Sequence, residues 1–250
     1  MSFSPTKVLF ATAMMLALSA CGPGIPVLPD DPNNEPAASA PSDTNNAEGS
    51  TDIPSTTPEV PVVSPPATAD TREEILKMYD YVDPTHIVPT QKLEDAIVYF
   101  HKNKSSFKNQ SVISVIDFSQ KSTQKRWYFI NMSTGSVWNI HVAHGKGSDS
   151  NHDGFAEKFS NVSGSNASSL GFYKTAETYQ GSNGYSLRLD GLSTTNSNAR
   201  PRAIVVHGAS YVQDSAVIQG RSWGCPAVST TNRDKVINMI KGGSLIYAAN

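Results

Sequence analysis

The pattern of apolar and polar positions changes character near residue 70. The first periodic stretch beyond it opens at Thr71, whose spacing to Glu74 is that of a capping box, and Ile75, Leu76, Tyr79 and Val82 then recur at helical intervals. A second helix is predicted over 91–102, where Leu93, Ala96, Ile97 and Phe100 share one face. From residue 111 the pattern turns to β. Residues 111–118 (SVISVIDF) and 126–132 (RWYFINM) are rich in β-branched and aromatic side chains, and Ser133-Thr134-Gly135-Ser136 separates the latter from 137–142 (VWNIHV) as a hairpin turn would. Further strands are predicted over 171–175, 185–189, 203–207 and 244–248. A last helix is expected to take Thr230 or Thr231 as N-cap, to bury Val236, Ile237, Met239 and Ile240, and to stop at Gly242. The expected fold is mainly β, with a helical segment over 71–110, a β domain over 111–250, and one helix near its end.

The first 70 residues do not fit that domain. Met1 to Lys7 is a short cationic stretch, and the apolar run that follows (VLFATAMMLAL, 8–18) has the length of a signal peptide and is too short to span a bilayer as a mature helix. It ends in Leu18-Ser19-Ala20-Cys21-Gly22, which resembles a bacterial lipobox. The expectation is a lipoprotein signal over 1–20 and a lipidated Cys21, with several acyl chains giving stable membrane anchoring at ~0.8 kcal/mol per buried methylene. Gly22 after that cysteine resembles the pattern of outer-membrane lipoproteins facing the periplasm. The following stretch, to residue 70, consists largely of Pro, Ser, Thr, Asn, Ala and Asp and cannot bury enough apolar surface to offset its chain entropy. It is predicted to be a disordered, proline-stiffened tether.

Charge sharpens this division. Before Thr71 the basic residue is Lys7, against Asp30, Asp31, Glu35, Asp43, Glu48, Asp52, Glu59 and Asp70. The remainder therefore carries a mild basic excess although the whole chain sums to −2. That excess suits an anionic polymer, but it forms no cluster and no stacking motif accompanies it, so nucleic acid is excluded as a partner.

With Cys21 assigned to lipid, Cys225 is a lone thiol in a compartment where cysteines pair, so it asks for a chemical reason. Gly220 and Gly224 bracket it and Pro226 follows, which describes a tight turn. A thiol attacks as thiolate and needs a base or cation beside it. His207 is the candidate base: it closes the apolar run Ala203-Ile204-Val205-Val206, and such a strand would deliver its imidazole to a rim.

These residues resemble the L,D-transpeptidases of the YkuD type, which carry a His, some eighteen residues, then Ser-x-Gly-Cys. The match lies in Val206-His207-Gly208, Gly220-Arg221-Ser222-x-Gly224-Cys225-Pro226 and Ser168-Ser169-Leu170-Gly171-Phe172-Tyr173. The resemblance implies a curved, β-sandwich-like catalytic domain in which Cys225 is nucleophile and His207 base. It implies attack on the third residue of a peptidoglycan stem tetrapeptide, release of D-Ala, and transfer to an amine to give a 3→3 cross-link. Backbone N–H groups of Gly224, Cys225 and Trp223 are expected to form the oxyanion hole. Ser222, Gly208, His144, Ser169 and Tyr173 are expected to contact substrate. Two departures stand out: Trp223 occupies the place of a second His in many members, and Ala227 that of an Arg. Arg221 is the expected substitute for that Arg, binding a stem-peptide carboxylate through its planar fork. Trp223 is either a substrate platform or loop packing.

His86 and His101 are expected to be structural. His141, His144, Asp149, His152 and Asp153 are metal-capable but match no zinc spacing, so no metal and no cofactor is expected. Two alternatives to transfer remain: an L,D-carboxypeptidase using water as acceptor, and a non-catalytic lipoprotein tethering wall to membrane.

Overall fold

The computed structural model describes residues 70–250, so the signal sequence, Cys21 and the tether expected before residue 70 lie outside the described residues. The helical start follows the sequence closely. In α1 (Arg72–Met78) Thr71 Oγ1 accepts the Glu74 N–H at 3.3 Å and Glu74 Oε2 accepts the Thr71 N–H at 2.8 Å, which is the expected capping box. Helix α2 (Thr90–Lys102) buries Ala96, Ile97 and Phe100. Outside its apolar face Lys92 reaches Asp117 at 2.6 Å and ties the helix to the sheet.

Eight strands make one sheet: β1 (Val112–Asp117), β2 (Trp127–Asn131), β3 (Val137–Ile140), β4 (Gly171–Gly181), β5 (Gly184–Gly191), β6 (Val205–Ala209), β7 (Ala227–Ser229) and β8 (Leu245–Ala249). Their order is β3-β2-β1-β8-β4-β5-β6-β7, with β1–β8 and β6–β7 parallel and the other pairs antiparallel. Just past β3, Ala143 donates to the Ala227 carbonyl on β7 at 2.9 Å, so the two edges meet and the sheet curls almost into a barrel. Meeting edges leave few unpaired strand groups exposed.

Period-two alternation sorts the central strands between two apolar layers. Val112, Ile116, Trp127, Phe129 and Ile246 face the layer that holds Val236, Ile237 and Ile240 of α3 (Arg233–Ile240). Ile113, Val115, Tyr128, Ile130 and Leu245 face the layer beneath Ile75, Ile97 and Phe100 of the N-terminal helices. Coverage on both faces explains why β1 is buried along its whole length and is mostly apolar. The helices of 71–110 are thus one wall of the core.

Several boundaries differ from expectation. β4 and β5 form a longer hairpin than predicted because β4 continues past a bulge between Thr175 and Thr178 through polar residues. β7 was not predicted: three residues following Pro226 carry too little pattern to mark a strand. Asn232, not Thr230 or Thr231, caps α3, while its C-terminal Gly242 adopts the left-handed φ of +84° that a stop requires.

Candidate active site

Strand β6 holds His207 in its middle, not at its end, and the residue is only 2% exposed. The expectation of an imidazole on an exposed rim is corrected accordingly: Gly208 and Ala209 continue the strand and pair with β7. His207 Nδ1–H donates to the Gly208 carbonyl at 3.1 Å, and because a carbonyl only accepts, the proton sits on Nδ1. Nε2 then carries a lone pair, buried and without a hydrogen-bond partner among the described residues. Burial holds the His207 pKa below its usual value, outweighing the carbonyl. The imidazole is thus neutral and oriented, with Nε2 able to accept a proton. Gly208 serves it from the backbone, and a Cβ there would meet the Arg233 side chain at 2.9 Å.

Ala227 lies opposite His207 in the parallel β6–β7 pair, and Cys225 precedes Ala227 by two residues, in the turn that leads into β7. Val205, on His207's face of β6, lines with Cys225 a cleft of about 380 Å³. Cys225 is 3% exposed, and its Sγ faces the Ala203 carbonyl at 3.8 Å. Trp223, 44% exposed, forms part of the cleft wall, as do Asn166, Tyr179, Asn183 and Arg202.

The turn carrying the thiol is held from both sides. Ser222 Oγ donates to the Cys225 carbonyl at 2.7 Å and accepts the Gly224 N–H at 3.1 Å. The Ser222 N–H donates to the His144 carbonyl at 2.9 Å, and its own carbonyl accepts from Lys146 at 2.7 Å. Ser168 Oγ reaches the Gly224 carbonyl at 3.3 Å while accepting the Gly145 N–H at 3.0 Å. Ser222, expected on substrate, is therefore a brace, and the Gly224 N–H expected in an oxyanion hole is engaged by it. Gly224 itself is required, since it sits at φ +115° and a Cβ would stand 2.6 Å from the Ala167 carbonyl oxygen. Gly224→Ala is expected to cost at least about 2 kcal/mol and to displace the thiol; urea unfolding together with Cys225 alkylation checks it, and a fully stable, normally reactive variant refutes it.

Four other expected contacts are relocated. Arg221 does not line the cleft: its Nη1 donates to the carbonyls of Asp149 and, at 3.3 Å, of Ser150. His144 is 1% exposed, with Nδ1 accepting from Arg126 at 2.7 Å and Nε2–H donating to Asp149 at 3.0 Å. Burial first, then the Arg126 charge, lowers its pKa to about 4. Ser169 and Tyr173 are buried and bonded to each other at 2.7 Å, and burial pushes the Tyr173 pKa up to about 12. They lie behind the cleft wall, where Arg202 Nη1 donates to Ser169 Oγ at 3.3 Å. Of the other metal-capable histidines, His141 Nε2 meets the Thr123 carbonyl and His152 Nε2 the Gln219 carbonyl. Arg202 itself was missed, since a single Arg before an apolar run carries no spacing signal.

The family model for the L,D-transpeptidase catalytic domain matches residues 84–249. Among solved structures, an L,D-transpeptidase from Mycobacterium smegmatis is 14% identical, with 56% of this chain and 59% of that one covered and a TM-score of 0.37. The helical cell shape determining protein from Campylobacter jejuni is 12% identical over 58% of this chain and 48% of its own, with a TM-score of 0.36. An L,D-transpeptidase from Stackebrandtia nassauensis is 11% identical over 71% and 76%, with a TM-score of 0.35. The chain thus spans less than two thirds of the length of the first two. No curated protein matches it. At these TM-scores family membership rests on the family model, whose match takes in β1 to β8, His207 and the Cys225 turn together: the chain belongs to the L,D-transpeptidase catalytic-domain family.

Proposed function

We propose that the protein is a peptidoglycan L,D-transpeptidase in which Cys225 attacks the carbonyl of the third residue of a stem tetrapeptide. The observation that carries this reading is His207 Nε2, a buried lone pair with its tautomer fixed, on the strand beside the Cys225 turn. In the first step the Sγ proton passes to Nε2 and sulfur bonds to the carbonyl carbon. The amide C–N bond then breaks, His207 returns the proton to the departing D-Ala amine, and a thioester remains. An amine of a neighbouring stem attacks it, loses its proton to His207, and expels the thiolate. We assign stabilisation of the oxyanion to the N–H groups of Cys225 and Trp223, with Gly224 withdrawn from that role by its bond to Ser222.

Incubating the chain with purified sacculi and separating the muropeptides tests the reading. Cross-linked 3→3 dimers support transfer, whereas tripeptide monomers alone make water the acceptor and the enzyme a carboxypeptidase. Unchanged muropeptides with no acyl adduct on Cys225 would leave only the tethering lipoprotein.

We place the protein by two resemblances: the lipobox at Leu18-Ser19-Ala20-Cys21 supports a lipid anchor on Cys21, and Gly22 after it supports the outer membrane, facing the periplasm. Cys21→Ala is expected to move the protein from the membrane fraction to the soluble fraction and to abolish labelling by radioactive palmitate. Retention in the membrane fraction refutes the anchor.

A further inference from the structure

The cleft at Cys225 holds a positive charge that the Cys225–His207 pair does not use. Arg202 lies in the turn that leads into β6 and lines the cleft with Cys225. Its Nη1 donates to the Ser160 carbonyl at 2.7 Å and to Ser169 Oγ at 3.3 Å, and its Nη2 to the Ala167 carbonyl at 2.6 Å and Ser165 Oγ at 3.3 Å. These acceptors are all neutral, and no carboxylate pairs with Arg202 among the described residues. They fix the guanidinium in place without cancelling its charge. The placement is close to the nucleophile, because a Cβ on Gly224 would stand 3.1 Å from Nη2. The charges of Arg202 and Cys225 are near enough to act on each other.

We propose that Arg202 is the counter-cation of the Cys225 thiolate. In a Cys–His pair the imidazolium ordinarily supplies that charge. Here His207 is buried and its Nδ1–H faces a neutral carbonyl, so the pair has no carboxylate to support an imidazolium. Arg202 stays charged throughout turnover and neither gives nor takes a proton. It stabilises sulfur when the thiol proton leaves for Nε2, and again when the thioester is resolved and the thiolate departs. Besides Cys225, the titratable and charged groups that line the cleft are Arg202 on the turn before β6 and Tyr179 on β4, with His207 on the neighbouring strand β6 and Tyr173 behind the cleft wall; the cleft lining contains no acid. Buried Ser169 and Tyr173 acquire a role in this arrangement, holding one edge of the guanidinium.

The inference rests on Cys225 being the nucleophile, and not on which amine or water resolves the thioester. Its test is alkylation of the full chain by iodoacetamide, a neutral reagent, across pH, with mass spectrometry following the Cys225 peptide separately from that of Cys21. Arg202→Gln is expected to slow alkylation at pH 7 by about tenfold or more and to move its midpoint to higher pH. Arg202→Lys, which keeps the charge, is expected to stay within about threefold of the parent chain. A melting curve reports whether each variant is folded. A folded Arg202→Gln that reacts like the parent overturns the proposal. Should the Gln variant not fold, Arg202→Lys decides: a folded Lys variant as slow as free cysteine overturns it, and near-parental reactivity supports it. A parent Cys225 no faster than free cysteine would instead remove the nucleophile assignment itself.

Discussion

Cys225→Ala is expected to abolish acyl-enzyme formation, and His207→Gln to slow it by about 10²- to 10⁴-fold, with both variants keeping the fold of the parent. Alanine fits the Cys225 position because the thiol sits among apolar neighbours of the inner layer, so its loss removes chemistry and little packing. Glutamine is the informative replacement for His207, since its amide can donate to the Gly208 carbonyl as Nδ1–H does but has no basic nitrogen to accept a thiol proton. The readout is the mass shift on exposure to a carbapenem or to tetrapeptide, with circular dichroism for the fold. An adduct that persists at the parental rate in either variant would place the nucleophile or the base elsewhere.

The pH dependence of the same reaction carries a sign. The base works only unprotonated, and burial lowers the His207 pKa, so its neutral form survives to more acidic pH than a solvent-exposed histidine would. The acid limb of kcat/KM is therefore expected below the ordinary 6.5. A limb lying above 6.5 would mean that a negative charge reaches the imidazole, which no carboxylate in the cleft lining supplies.

The candidates for this site come from the sequence because reactivity and backbone demand leave local signatures. A thiol between Gly224 and Pro226, and a histidine closing a Val/Ile run, are visible without coordinates. The β1 and β2 strands were equally plain, since burial on both faces fills the pattern with β-branched and aromatic residues. What stayed hidden depends on distance in space. The role of Ser222 depends on the His144 carbonyl it meets across 78 residues. Arg221 and Arg202 look alike as isolated arginines, and only the packing of the 144–150 segment against the Cys225 turn turns one away from the cleft while the other lines it. His144 was expected in the cleft because its segment, His144-Gly145-Lys146-Gly147, resembles one in the family; its burial follows from Arg126, which sequence offered as the first residue of a strand.

Asp149→Ala is expected to destabilise the fold by about 2 to 3 kcal/mol, because it leaves the buried His144 Nε2–H without its charged acceptor and removes a negative charge near Arg126. Arg126 is 0% exposed and donates to the carbonyls of Gln120 and Val142 as well as to His144. Burial lowers its pKa to about 9, so it remains a cation at neutral pH, supported by the charges of Asp117 and Asp149. Burial pushes the Asp149 carboxyl up, but the bonds it accepts from His144 and from the Gly154 N–H outweigh that and leave its pKa lowered. Removing Asp149 strips the acceptor from both and takes away one of the charges opposite Arg126. Urea unfolding at pH 7 measures the cost, and a loss under about 1 kcal/mol would show that the network is dispensable.

Acid should reach the same place. His144 takes a proton at about 4 when folded and at 6.5 when unfolded, so stability is full above 6.5 and falls as pH drops toward 4, by up to about 3 kcal/mol. Asp149, with a depressed folded pKa, adds its own loss only as pH falls below the ordinary carboxylate range. His144→Gln preserves an acceptor for Arg126 and a donor for Asp149 without titrating, so the step between 6.5 and 4 is expected to flatten in that variant; an unchanged step would assign it to another group. Because the His144 carbonyl holds the Ser222 N–H, and Ser222 holds the Gly224–Cys225 backbone, acid strain in this network is expected to loosen the nucleophile turn before the rest of the sheet. Hydrogen exchange at residues 220–226, compared between pH 7 and about pH 4.5, measures it, and equal protection at both values would separate the network from the Cys225 turn.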